Sequence, residues 1–117
     1  MKYRIYTGTY TEEIHFASGK IVKGRGKGIY YLTLDTEKGK LEVSGVKDNI
    51  INPSYLTLSV DGKYLYAANE RKMSEGVYGG TVSAFQIDGE TGELTFLNKQ
   101  FTNGTDPCYV AVHPACV

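Results

Sequence analysis

Short apolar and aromatic runs recur along the chain, divided by Gly, Asn, Asp and Pro. No stretch keeps a 3.6-residue apolar period, so the runs predict strands and no helix. In order they are Tyr3–Tyr10, Ile29–Leu34, Leu41–Val46, Tyr55–Leu58, Tyr64–Ala68, Val82–Ile87, Leu94–Leu97 and Tyr109–Val112. Between the first two lies a polar, glycine-rich stretch, Thr11 to Lys27, which reads as a flexible, solvated loop. The punctuation has readable chemistry. Asp61-Gly62 sits between two runs, where Gly takes positive φ at little steric cost. Asp35–Lys40 and Asp88–Glu93 are longer hairpin loops, each opening with an Asp whose carboxylate can accept hydrogen bonds from the next backbone amides.

Those two loops expose a repeat. At an offset of 53, Ile29, Leu32, Asp35, Gly39 and Leu41 fall on Val82, Phe85, Asp88, Gly92 and Leu94. At an offset of 54, Pro53–Leu58 falls on Pro107–Val112. Ile5-Tyr6 matches Leu65-Tyr66 at 60, with the loop after Tyr10 absorbing the difference. The unit is roughly 53 residues and four antiparallel strands, the signature of a propeller blade. The expected fold class is therefore all-β, with residues 1–117 the N-terminal part of a single β-propeller domain. The complete blade is expected at about 53–101, with partial units on either side. Propellers close with roughly 4–8 blades, so the chain reads as a fragment of a larger ring.

Composition leaves this picture standing. Tyr supplies 10 of the 14 aromatics, Trp is absent and Gly numbers 14, which suits strands and turns. Hydrophobic residues are 41% and charged residues 22%, an ordinary globular balance. Thirteen basic residues offset thirteen acidic ones, so no field draws the chain to nucleic acid or an anionic membrane. No apolar run approaches the roughly 20 residues of a membrane helix. Met1-Lys2-Tyr3-Arg4 has no apolar stretch behind it, so no secretory leader is expected and the location reads as cytoplasmic. The sequon Asn103-Gly104-Thr105 is then accidental. Cys108 and Cys116 read as reduced, structural cysteines. The spacing Cys108-x4-His113-x2-Cys116 fits no standard zinc site, so no metal is expected.

Candidate chemistry is sparse. His113 precedes Pro114 at a turn position. His15 lies in the polar loop and is the other imidazole. Ser18–Gly28 sets Lys20, Lys23, Arg25 and Lys27 among glycines, a composition that can bind phosphate through charge and backbone amides. It has neither a P-loop nor a dinucleotide fingerprint. Glu70-Arg71 follows the second strand of the complete unit. In a propeller, 11–27, 48–52, 70–79 and 103–106 would share one face, where sites usually sit. The low-ranking substrate-binding candidates are Glu70, Arg71, His15, Lys23 and Arg25, against the plainer reading of each as a surface group.

The ordered set Tyr6–Thr11, Gly28–Leu32, Asp35–Leu41, Asn52–Leu56, Asp61–Glu70, Gly80–Phe85 and Asp106–Val110 resembles the start of the bacterial lactonase family of seven-bladed propellers. That family contains the propeller-type 6-phosphogluconolactonases and is related to fungal carboxymuconate cyclases. The resemblance implies about two of seven blades here. It implies a cytoplasmic enzyme that hydrolyses 6-phosphogluconolactone to 6-phosphogluconate in the pentose phosphate pathway, without a redox cofactor. Members commonly carry His where this chain has Tyr109, and the His and Arg suspected in the related cyclases fall beyond residue 117. The resemblance thus names a sugar lactone as partner but carries no catalytic residue into this chain. The chain alone is expected to be inactive and prone to self-association. The alternative is a non-catalytic propeller module that binds a partner on one face.

Overall fold

The structure, a computed structural model, describes residues 1–115. It is all strand, with no helix among those residues. The strands are β1 (Lys2–Thr7), β2 (Glu13–His15), β3 (Ile21–Lys23), β4 (Gly28–Asp35), β5 (Lys40–Asp48), β6 (Pro53–Leu58), β7 (Tyr64–Asn69), β8 (Met73–Ser74), β9 (Val77–Tyr78), β10 (Thr81–Ile87) and β11 (Leu94–Phe101). One sheet has three strands in the order β1-β4-β5, and the other has four in the order β11-β10-β7-β6. Every pairing in them is antiparallel.

The three strands of the first sheet repeat β7, β10 and β11 of the second in detail. A bulge interrupts β4–β5 between Tyr31 and Leu32, and another interrupts β10–β11 between Ala84 and Phe85, 53 positions on. Asp35 Oδ1 accepts from the amides of Glu37 and Lys38 at 3.0 and 3.3 Å, and Asp88 Oδ1 accepts from those of Glu90 and Thr91 at 2.9 and 2.8 Å. Asn49 and Asn103 share a positive φ of 59° and 61°, and Asn52 and Asp106 share one of 43° and 53°. The repeat read from the sequence is a repeat of backbone conformation.

The core lies where the two sheets meet. Ile29 from β4 packs with Leu65 and Ala67 from β7, Phe85 from β10 and Leu94 from β11, with Tyr6 and Tyr31 partly buried against them. Polar groups pin the same seam. Tyr6 Oη donates to Gly92 O at 2.5 Å, and the Leu94 amide donates to Tyr31 Oη at 2.9 Å. The Arg4 guanidinium donates to the carbonyls of Gly89 and Glu90. Gly92 is required twice over. Its φ is +77°, and a Cβ would stand 2.6 Å from Arg4 Cδ.

Three expectations change. Tyr109–Val112 forms no strand. Its model in the repeat, β6, is an edge strand paired only with β7, and the counterpart of Tyr64 falls past residue 117. The stretch Thr11–Lys27 is not plain loop but carries the ribbon β2–β3, and a smaller ribbon, β8–β9, occupies the matching place in the second unit. The first run stops as a strand at Thr7. Cys108 is a free cysteine, as expected, and it is exposed; Cys116 lies outside the described residues.

Candidate functional site

The connections that leave β1 and β7, and those that enter the two Asx-Pro segments, gather on one side of the sheets. A cavity of about 470 Å³ opens between them. Its walls are the β2–β3 ribbon and the segment Glu70–Met73, with Asn52 and Asp106 beneath.

Asn52 builds this corner. Its side chain is 5% exposed. Oδ1 accepts from the amides of Thr11 and Glu12 at 2.8 and 3.0 Å and from Thr11 Oγ1 at 3.3 Å, while Nδ2 donates to Glu70 O at 3.0 Å. The Asn52 carbonyl also accepts from the Glu70 amide at 3.0 Å. One residue therefore joins the start of the ribbon to the end of β7. Positive φ at an Asx residue turns the chain sharply enough to make both contacts.

Glu70 stands at the centre of a polar group. Its Oε1 accepts from Tyr10 Oη at 3.0 Å and from Ser54 Oγ at 2.8 Å. Burial, and then the neighbouring Glu70 charge, pushes the Tyr10 phenol above its usual range. The two cations beside Glu70 are each engaged. Arg71 Nε lies 3.2 Å from Glu12 Oε1, and its Nη2 donates to Glu12 Oε2 at 3.5 Å. Lys72 Nζ lies 3.1 Å from Asp106 Oδ2. His15 Nε2 is 3.5 Å from Glu13 Oε2, both side chains well exposed. Ile14, Phe16, Ala17 and Met73 supply the apolar lining.

Of the five residues proposed from the sequence, Glu70, Arg71 and His15 line the cavity. Lys23 and Arg25 do not. The reason is steric. A Cβ on Gly24 would stand 2.5 Å from Glu12 O, and one on Gly26 would collide with the Thr9 side chain. The amides of these glycines donate to Glu12 O and Tyr10 O at 2.9 and 3.0 Å. The glycine face of this extended run is thus pressed against 9–12, and the alternate residues Lys23 and Arg25 are exposed. They form no shared phosphate cradle with the cavity. His113 behaves as a turn residue, its Nδ1 accepting from the Ala115 amide at 3.1 Å. Sequence reasoning missed Asn52, Tyr10 and Ser54 as parts of the site. The recurring Asx-Pro pair was the available signal. Among the described residues no cluster of three or more His, Cys, Asp or Glu could hold a metal, and no helix is long and apolar enough to cross a membrane.

Such a corner can do three things chemically. It offers a fixed carboxylate acceptor, an imidazole at the rim, and two cations whose charge is already opposed by carboxylates.

The comparisons agree with this architecture. Residues 4–116 match the family described as lactonase, 7-bladed beta-propeller. The 6-phosphogluconolactonase of Bacillus subtilis is 39% identical over 95% of this chain, and that of Formosa agariphila is 34% identical over 77%. The chain spans about a quarter of the length of these curated relatives, 27% and 25%. A crystal structure of a candidate 6-phosphogluconolactonase from Bacteroides fragilis superposes with a TM-score of 0.76 at 35% identity, covering 97% of this chain and 27% of that one. A periplasmic gluconolactonase from Pseudomonas aeruginosa superposes at 0.68 with 26% identity, covering 92% of this chain and 27% of that one. With the family match running through both sheets, the chain belongs to the lactonase family of seven-bladed β-propellers.

Proposed function

We propose that this chain supplies two neighbouring blades, and one wall of the substrate pit, of a sugar-lactone hydrolase that converts 6-phosphogluconolactone to 6-phosphogluconate. The observation that carries the reading is the 39% identity to the Bacillus subtilis 6-phosphogluconolactonase over 95% of the chain. In the reaction water adds to the lactone carbonyl, the ring C–O bond breaks, and the products are a carboxylate, a hydroxyl and a proton. No electrons change hands, so the reaction calls for no redox cofactor. Glu70, Arg71 and His15 are the substrate-facing groups of this wall. In this reading His15 receives the proton from water, since imidazole is the usual general base of hydrolytic sites. The groups that complete the site come from the rest of the ring. A cytoplasmic location goes with this reading, and cell fractionation of the seven-bladed protein checks it.

The test is the opening of 6-phosphogluconolactone by the seven-bladed protein that carries this chain. A rate well above spontaneous hydrolysis is expected. A rate equal to the spontaneous one overturns the reading and leaves a non-catalytic binding propeller.

A further inference from the structure

We propose that the cavity beside the β2–β3 ribbon is a hydroxyl-recognising subsite for the neutral polyol face of the sugar ring, and that the phosphate of a phosphorylated substrate is bound away from this wall. The proposal rests on the lactonase reading and assigns an orientation within it.

The charge pattern argues first. Glu12, Glu13, Glu70 and Asp106 line the cavity with Arg71 and Lys72. Arg71 is held by Glu12 and Lys72 by Asp106, so an incoming anion meets a carboxylate already seated at each cation. A phosphate dianion here would have to displace a carboxylate and then sit beside Glu13 and Glu70. Lys20, Lys23, Arg25 and Lys27, which form no ion pair among the described residues, are exposed outside the lining.

Hydrogen bonding argues second. Tyr10 and Ser54 both donate to Oε1 of Glu70, which fixes the plane of the carboxylate. Among the described residues no donor reaches its Oε2. An oriented carboxylate with one unengaged oxygen is a strong acceptor for sugar hydroxyls and offers nothing to a phosphate. The size and lining argue third. A space of about 470 Å³ with Ile14, Phe16 and Met73 beside the polar groups accommodates a six-membered sugar ring, placing apolar contacts against its C–H faces.

Two stable probes that differ only by the phosphate decide the matter: 1,5-anhydroglucitol and its 6-phosphate, each titrated by calorimetry or NMR into the seven-bladed protein. Glu70→Gln, which keeps the side chain's shape, is expected to weaken both probes by the same factor, about tenfold. Tyr10→Phe, which removes one hydrogen bond to the carboxylate, is expected to weaken both by about threefold. Lys72→Ala is expected to leave the ratio of the two affinities unchanged. The proposal is overturned if the wild type binds no anhydroglucitol, if Glu70→Gln leaves both affinities unchanged, if it tightens the 6-phosphate alone, or if Lys72→Ala weakens the 6-phosphate alone. Glu70-dependent binding without lactone hydrolysis would sink the lactonase reading and keep the subsite. Hydrolysis with Glu70-independent binding would do the reverse.

Discussion

Replacing Asn52 by alanine should be the most damaging single change in the described part of the site. The side chain makes four hydrogen bonds, three through Oδ1 to Thr11 and Glu12 and one through Nδ2 to Glu70 O. A net hydrogen bond is worth about 0.5–1.5 kcal/mol, and a buried group left without a partner costs about 1–3 kcal/mol. Glu12 is exposed and regains water; Thr11 is half-buried and regains less. Alanine also tolerates the φ of +43° less well than asparagine, at a cost of about 1 kcal/mol. The expected loss is therefore roughly 3–5 kcal/mol, near the top of the range for point mutants. Asn52→Asp keeps the acceptor for the ribbon amides but sets a carboxylate oxygen against Glu70 O in place of the donor, so it should cost about 2–3 kcal/mol. The repeat supplies a precedent, since Asp106 holds the same backbone conformation with its carboxylate turned to Lys72. Urea unfolding of the seven-bladed protein gives both values from the midpoint at constant slope. An alanine variant within about 0.5 kcal/mol of wild type, or an aspartate variant as damaged as alanine, would refute the clamp.

Further outcomes follow from the seam and the surface. Gly92→Ala should cost about 1–2 kcal/mol, because φ is +77° and the new Cβ meets Arg4; a thermal melt reads it, and an unchanged midpoint refutes the argument. Burial holds the Tyr6 and Tyr31 phenols above their usual range, so the stability they lend is complete below about pH 10 and is lost as pH rises through their folded values. Melting midpoints should fall as pH rises above about 10, and the fall should be smaller in Tyr6→Phe. Residues 1–117 expressed alone should self-associate, since Val43, Phe96, Leu97 and Tyr109 are exposed and β1 and β6 each keep an open edge; light scattering showing a monodisperse 12.9 kDa monomer with a sharp melt would refute it.

What the sequence made legible was the local chemistry. Asp35 and Asp88 announced their loops because the carboxylate reaches amides two and three residues on, a contact that needs no tertiary partner. Seven of the eight apolar runs became strands because each meets its partner within the chain. Tyr109–Val112 shows the limit: it carries the same pattern as β6, but a strand exists only when a neighbour takes its hydrogen bonds. The ribbon β2–β3 was hidden for a related reason. Its strands have three residues each, and only Ile14 is half-buried, so alternation had almost nothing to report.

The site was harder still, because its decisive contacts span the two units. Asn52 meets Thr11 and Glu12 about 41 positions away, and Tyr10 meets Glu70 across 60. Pattern reading ranked Lys23 and Arg25 beside Glu70 on their charge and the glycine-rich backbone around them. What separates them is Gly24 and Gly26, whose missing side chains let the run lie against 9–12 and so turn its cations outward. The glycines that made the stretch look like a phosphate loop are the residues that keep its charge out of the cavity. A variant that restored a side chain at Gly24 would lift the ribbon from Glu12, free Arg71 from its partner, and change the charge that the cavity presents.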